Sequence, residues 1–96
     1  MSKKNEFKFR LYIADDTQNS MQALANLNNF CQTYLADRHE IEVLDVFKNP
    51  LSALQDSIFM TPTLIKFSPL PVIRIVGTLN QTEVIKQTLG IGNSFS

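Results

Sequence analysis

Side chains able to do covalent or metal chemistry are scarce in this sequence. Cys31 is the one cysteine and His39 the one histidine. A lone thiol excludes an internal disulfide framework and any cysteine-only metal cluster. A single imidazole beside it leaves too few ligands for a zinc site. There is no glycine-rich phosphate loop, and no Ser-His-Asp or Cys-His pattern with local spacing. His39 sits between Arg38 and Glu40 and reads as an ordinary surface group. Cys31 falls on an apolar helical stripe, where a cysteine behaves as a small buried hydrophobe. These residue types point to a non-enzymatic protein without a cofactor or metal.

Charge narrows the partners further. Nine basic and nine acidic residues balance, with the signs mixed along the chain. Nucleic acid as the main ligand would favour a basic surface. Near-zero net charge does little to oppose self-association. No apolar run approaches the roughly 18–20 residues of a membrane span, and no signal-peptide core follows Lys3 and Lys4. The expectation is one cytoplasmic domain over residues 1–96, with 1–6 and 93–96 frayed.

The elements that would carry any site follow from periodicity. The centre is Met60-Thr61-Pro62-Thr63-Leu64-Ile65-Lys66-Phe67, where proline opens an apolar strand over 64–67. Pro69 and Pro71 flank a turn, Val72 to Val76 forms a second strand, and Gly77 stops it. Before this hairpin, Phe7 to Ile13 alternates as a strand, with Phe7, Phe9, Leu11 and Ile13 on one face. Asp15 to Ser20 offers N-caps, and Met21 to Leu35 is helical, with Leu24, Leu27, Cys31 and Tyr34 or Leu35 in its stripe. Glu40 to Phe47 reads as a central strand covered on both faces. Asn49 as cap and Pro50 at the first position start a short helix to about Ser57, with Leu51, Leu54 and Ile58 as its apolar face. Asn80 and Glu83 resemble a capping box for a last helix, which buries Val84, Ile85 and Leu89 and ends at Gly90 and Gly92.

The order is βαβαββα, an α/β arrangement of the thioredoxin-like kind, with Pro62 at the position of that fold's cis-proline. More narrowly, Leu11-Tyr12-Ile13-Ala14, Thr17-x-Asn19-Ser20, Asp45-Val46-x-Lys48-Asn49-Pro50, Thr61-Pro62-Thr63-Leu64 and Pro69-x-Pro71-Val72-x-Arg74-Ile75-x-Gly77 are similar to the KaiB family. That family belongs to the cyanobacterial circadian clock. The resemblance implies an interaction module that binds the ring-shaped ATPase KaiC, competes with the kinase SasA and captures KaiA. It implies a partner-binding set of Lys48, Asn49, Pro50, Lys66 and Arg74, and a fold-determining set of Pro62, Pro69, Pro71 and Gly77. It also implies a second, tetrameric fold in which the C-terminal half is rearranged. The β propensity of 64–67 and 72–76 agrees with the thioredoxin-like form, so a monomer of that form is the expected ground state.

Departures and alternative readings accompany the resemblance. The family usually has glycine where Asp15 stands, and basic residues where Gln22, Glu42 and Ser57 stand. Such losses suit a diverged paralogue in stress or signalling, with a different partner. A thiol-disulfide enzyme of the same fold would need a thiolate at the junction of strand one and helix one. Thr17-Gln18-Asn19-Ser20 occupies that junction, and Cys31 lies about three turns further on.

Overall fold

The computed structural model describes residues 6–91. The elements are β1 (Phe7–Ile13), α1 (Gln18–Tyr34), β2 (His39–Asp45), α2 (Pro50–Gln55), β3 (Thr63–Ser68), β4 (Ile73–Val76) and α3 (Thr82–Thr88). The four strands form one sheet in the order β2-β1-β3-β4. β1 runs parallel to β2 and antiparallel to β3, and β3 runs antiparallel to β4. This is the expected thioredoxin-like βαβαββα topology. Thr61-Pro62 is cis, as are Ser68-Pro69 and Leu70-Pro71. Gly77 sits at φ +121, and its N–H donates to the Pro62 carbonyl at 3.0 Å, closing the hairpin base.

The two faces of the sheet are covered very differently. On one, Phe7, Phe9, Leu11 and Leu64 pack against Ala23, Leu27, Phe30 and Cys31 of α1 and Ile85 of α3. Fully burying a leucine or phenylalanine contributes about 1.5–3 kcal/mol, so this layer carries most of the stability. On the other face the buried cluster is Tyr12, Ala53 and Ile65. α2 has six residues and buries Ala53 alone. That thin cover leaves the second face open to other work.

Several expectations need correction. β2 lies at the sheet edge, because β1 takes the central place by pairing on both sides; its Glu42 and Val43 are exposed. The apolar face of α2 is not Leu51 and Leu54, which are 73% and 74% exposed. The helix stops at Gln55, so Ala53 and the half-buried Ile58 reach the sheet instead. Asn49 is the N-cap of α2, but its Nδ2 donates back to the Asp45 carbonyl at 3.1 Å and no side-chain cap bond forms. The capping box at α3 is absent: Gln81 is the N-cap without a side-chain bond, and Val84 faces out. Thr17 does cap α1, accepting from the Ser20 N–H.

At the ends of the chain, Glu6 is not frayed. Its carboxylate pairs with Arg38 at 3.0 Å and its carbonyl accepts from Ser68 Oγ. Residues 1–5, Gly92 and the 93–96 tail lie outside the described residues. His39 opens β2 half-buried, and its Nδ1 lies 2.8 Å from the Leu35 carbonyl.

Candidate functional site

Sheet register places Glu42, Arg10, Ile65 and Arg74 in one row across the thinly covered face. Arg10 Nε donates to Glu42 Oε1 at 2.9 Å, and its Nη1 donates to Asp56 Oδ2 at 2.8 Å. The Tyr12 hydroxyl donates to the same Asp56 oxygen at 2.6 Å. The Arg10 guanidinium also lies 5.0 Å from the centre of the Phe67 ring. Asp56 directly follows α2, so this network fastens the end of the helix to the central strand. Burial alone would raise the Asp56 pKa. The bonds from Tyr12 and Arg10, with the positive charges of Arg10 and Arg74, outweigh it and hold the carboxyl below its ordinary value. Burial, then the bond to Asp56, pushes the Tyr12 phenol up to about 12.

The start of α2 is organised by Asp45. Its carbonyl accepts the N–H groups of Lys48 at 3.0 Å and Asn49 at 2.8 Å. Its carboxylate accepts the N–H groups of Phe47 and Asp15. Lys48 and Pro50 are exposed at this corner and Asn49 is half-buried. Large apolar side chains of α2 and the segments on either side of it are exposed as well: Phe47, Leu51, Leu54, Phe59 and Met60, Phe59 at 90%. Beyond them a groove of about 350 Å³ runs between Phe59, Met60 and the β4 side chains Arg74 and Val76. Large apolar side chains left exposed beside charged ones mark a place for a partner.

The proposed partner set divides. Lys48, Asn49, Pro50 and Arg74 share this face or its border. Lys66 does not: its side chain projects to the α1 and α3 side beside Leu64, and the residue is 2% exposed. Its Nζ donates to the Pro69 carbonyl at 2.7 Å, and burial lowers its pKa. Lys66 therefore ties β3 to the proline turn and offers no charge to a partner in this state. Pro62 is buried, Pro69 half-buried and Pro71 exposed. Among the departures, Asp15 sits at φ +55 and Ser57 at φ +57, left-handed positions that suit glycine. Gln22 is exposed on α1, and Glu42 is occupied by Arg10.

No thiol chemistry is available at the strand-to-helix junction. Ser20 stands there fully buried, its Oγ accepting the Ala14 N–H at 3.0 Å. Cys31 is inaccessible, and burial pushes its thiol up to about 12, so a thiolate does not form near neutrality. Cys31→Ser is expected to cost about 1–2 kcal/mol through a buried hydroxyl, without altering binding. Wild-type protein should show no activity in an insulin-reduction assay. Activity that disappears in Cys31→Ser would refute this reading.

Sequence reasoning missed Arg10, Tyr12 and Asp56 as a unit, and Phe59 and Met60 as surface. The signal for the first lay in the alternation of β1, which put Arg10 and Tyr12 on one face. For the second it lay in an apolar pair standing outside any periodic run just before Thr61-Pro62.

Residues 10–91 match the KaiB domain family. The circadian clock protein KaiB3 of Synechocystis sp. is 40% identical over 87 residues, covering 91% of this chain and 85% of that protein. The circadian clock oscillator protein KaiB of Parasynechococcus marenigrum is 43% identical over 83 residues, covering 86% and 80%. Among solved structures, the N-terminal domain of SasA from Synechococcus elongatus is similar with a TM-score of 0.72 at 17% identity, covering 96% of this chain and 90% of that one. Mitochondrial thioredoxin 3 of Saccharomyces cerevisiae gives 0.69 at 21% identity, covering 92% and 81%. These two likenesses concern the fold.

Proposed function

The chain belongs to the KaiB family, and on that premise we propose that it is a non-enzymatic, cytoplasmic interaction module of a circadian-clock-type system. In its thioredoxin-like state it binds a KaiC-like ATPase ring through α2 and the segments on either side. It thereby competes with a SasA-type kinase domain for the ring and can present a surface to a KaiA-like protein. The observation that carries this reading is the exposed apolar set around α2, with Lys48 at its corner and Arg74 across the groove. A six-residue helix with its leucines turned outward is a poor core element and a good contact. The monomer is the binding form; a tetramer with a rearranged second half is its reservoir.

Charge sets how fast such a complex forms. Gln22 and Ser57 are exposed and neutral, so Gln22→Arg with Ser57→Lys should speed association with a KaiC homologue several-fold at low salt. Glu42 is left out of this set, because reversing it would break its pairing with Arg10. Lys48→Glu should slow association. Surface-immobilised KaiC hexamers and a salt series measure all three. Should neither the wild type nor the charge-restored variant bind any KaiC homologue, the ring is not the partner. The protein would then be a paralogue serving stress or signalling, and pull-down from its own cytosol would supply the partner.

A further inference from the structure

β4 is an edge strand whose outer side makes no hydrogen bond to any described residue. Its register fixes which residues face out. Gly77 donates to Pro62 across the β3–β4 pair, so Gly77, Ile75 and Ile73 form the hydrogen-bonded positions toward β3. Arg74 and Val76 alternate with them and turn their backbone N–H and C=O away from the sheet. Their side chains project onto the α2 face, into the groove bounded by Phe59 and Met60. On the opposite face a second groove of about 380 Å³ runs from Ile75 past Gly77 to Val84 and Ile85. One short strand thus has free backbone groups outward and a groove on each side.

This is the arrangement that an added strand requires: main-chain bonds from the edge, and recesses for side chains pointing alternately up and down. We propose that the β4 edge accepts an extended peptide segment of a partner protein, with apolar side chains at alternate positions and a carboxylate beside Arg74. Charge selects the occupant. Arg74 is exposed and acts on Asp56 only through its charge, with no direct ion pair among the described residues, so an acidic side chain opposite it finds guanidinium donors that no carboxylate holds. A second copy would instead bring two Arg74 guanidiniums into one four-residue ladder. The Arg74 groove is shared with the proposed ring contact, but ring binding through α2 and Lys48 does not need the outward backbone of β4, so Lys48→Glu and Val76→Pro tell the two failures apart.

The test uses the whole chain and an acetylated heptapeptide that alternates valine with aspartate. In a titration followed by amide NMR, the largest shifts should fall on Arg74 and Val76, and their amide exchange should slow. Replacing aspartate by lysine in the peptide should weaken binding on the order of fivefold, and Arg74→Glu should reverse that order. Val76→Pro removes an outward N–H while leaving the β3 ladder intact, and should abolish binding. Lys48→Glu should bind the peptide as the wild type does, whatever its behaviour toward the ring. The proposal is overturned by shifts centred on the β2 edge, by equal affinity for both peptides, or by no shift at millimolar peptide. Self-association through β4 without peptide would also overturn it.

Discussion

Asp56→Ala lowers the free energy of unfolding by about 2–3 kcal/mol, more than removing any other polar side chain on the α2 face. The reason is that two groups lose the same acceptor at once. The Tyr12 hydroxyl, in a fully buried residue, is left without its acceptor, and Arg10 keeps Glu42 as its one carboxylate partner beside the Phe67 ring. The Asp56 and Arg10 side chains are 20% and 29% exposed, so water screens the pair less than at an open surface. Tyr12→Phe removes one bond and should cost about 1 kcal/mol. Asp56→Asn keeps an acceptor oxygen without the charge and should fall between the two. Urea midpoints with constant m-values report the stabilities, and hydrogen exchange over 50–56 reports the loosening of α2. An Asp56→Ala variant within about 0.5 kcal/mol of the wild type would show that the network does not hold the helix.

The same carboxylate gives the protein an acid limb. Its folded-state pKa lies below the unfolded value of about 3.9, so folding is favoured by its ionised form. That contribution is fully present above the unfolded pKa and is lost as pH falls through the folded one. Stability of the wild type should therefore decline below about pH 4 more steeply than that of Asp56→Asn. Tyr12 acts at the other end. With its pKa raised to about 12, its contribution is complete below the unfolded value of about 10 and is lost as pH rises through 12.

Much of this architecture was legible in the sequence because local signals agreed with each other. Period two in Phe7 to Ile13 gave β1 with its boundaries, and Gly77 and Pro62 marked the hairpin base that the Gly77 N–H closes. The cis Thr61-Pro62 bond was expected from the position of Pro62 before β3. What failed were inferences from hydrophobicity to burial. Val43, Leu51 and Leu54 are apolar and outward, while Lys66 is charged and inward. Apolar residues at helical spacing look the same whether the helix packs on its own sheet or on another molecule. Nor does a lysine reveal that a proline turn three residues on will supply a carbonyl for its Nζ. The edge position of β2 escaped for a related reason: an apolar run says that a strand is covered, and Leu44 and Val46 are covered by α2 without the strand being central.

The outward apolar residues support the largest functional effect to be expected. Leu51→Ser combined with Phe59→Ser should weaken binding to a KaiC homologue by about a hundredfold, close to 2.8 kcal/mol. Contact energy in interfaces concentrates in a few large side chains; Phe59 lines the Arg74 groove, and Leu51 stands three residues after Lys48 at the start of α2. Folding gives little reason for them to be apolar: they are 73% and 90% exposed and belong to neither buried cluster. The double variant should therefore unfold within about 0.5 kcal/mol of the wild type. It should also self-associate less, since near-zero net charge leaves little else to keep exposed apolar surfaces apart. Equilibrium binding to immobilised hexamers, paired with urea unfolding, separates the two effects. Lost binding with intact stability places the contact on α2 and the loop that follows it. Undiminished binding by the double variant would move the contact to another face, and an equal loss of stability and binding would make these side chains part of the fold.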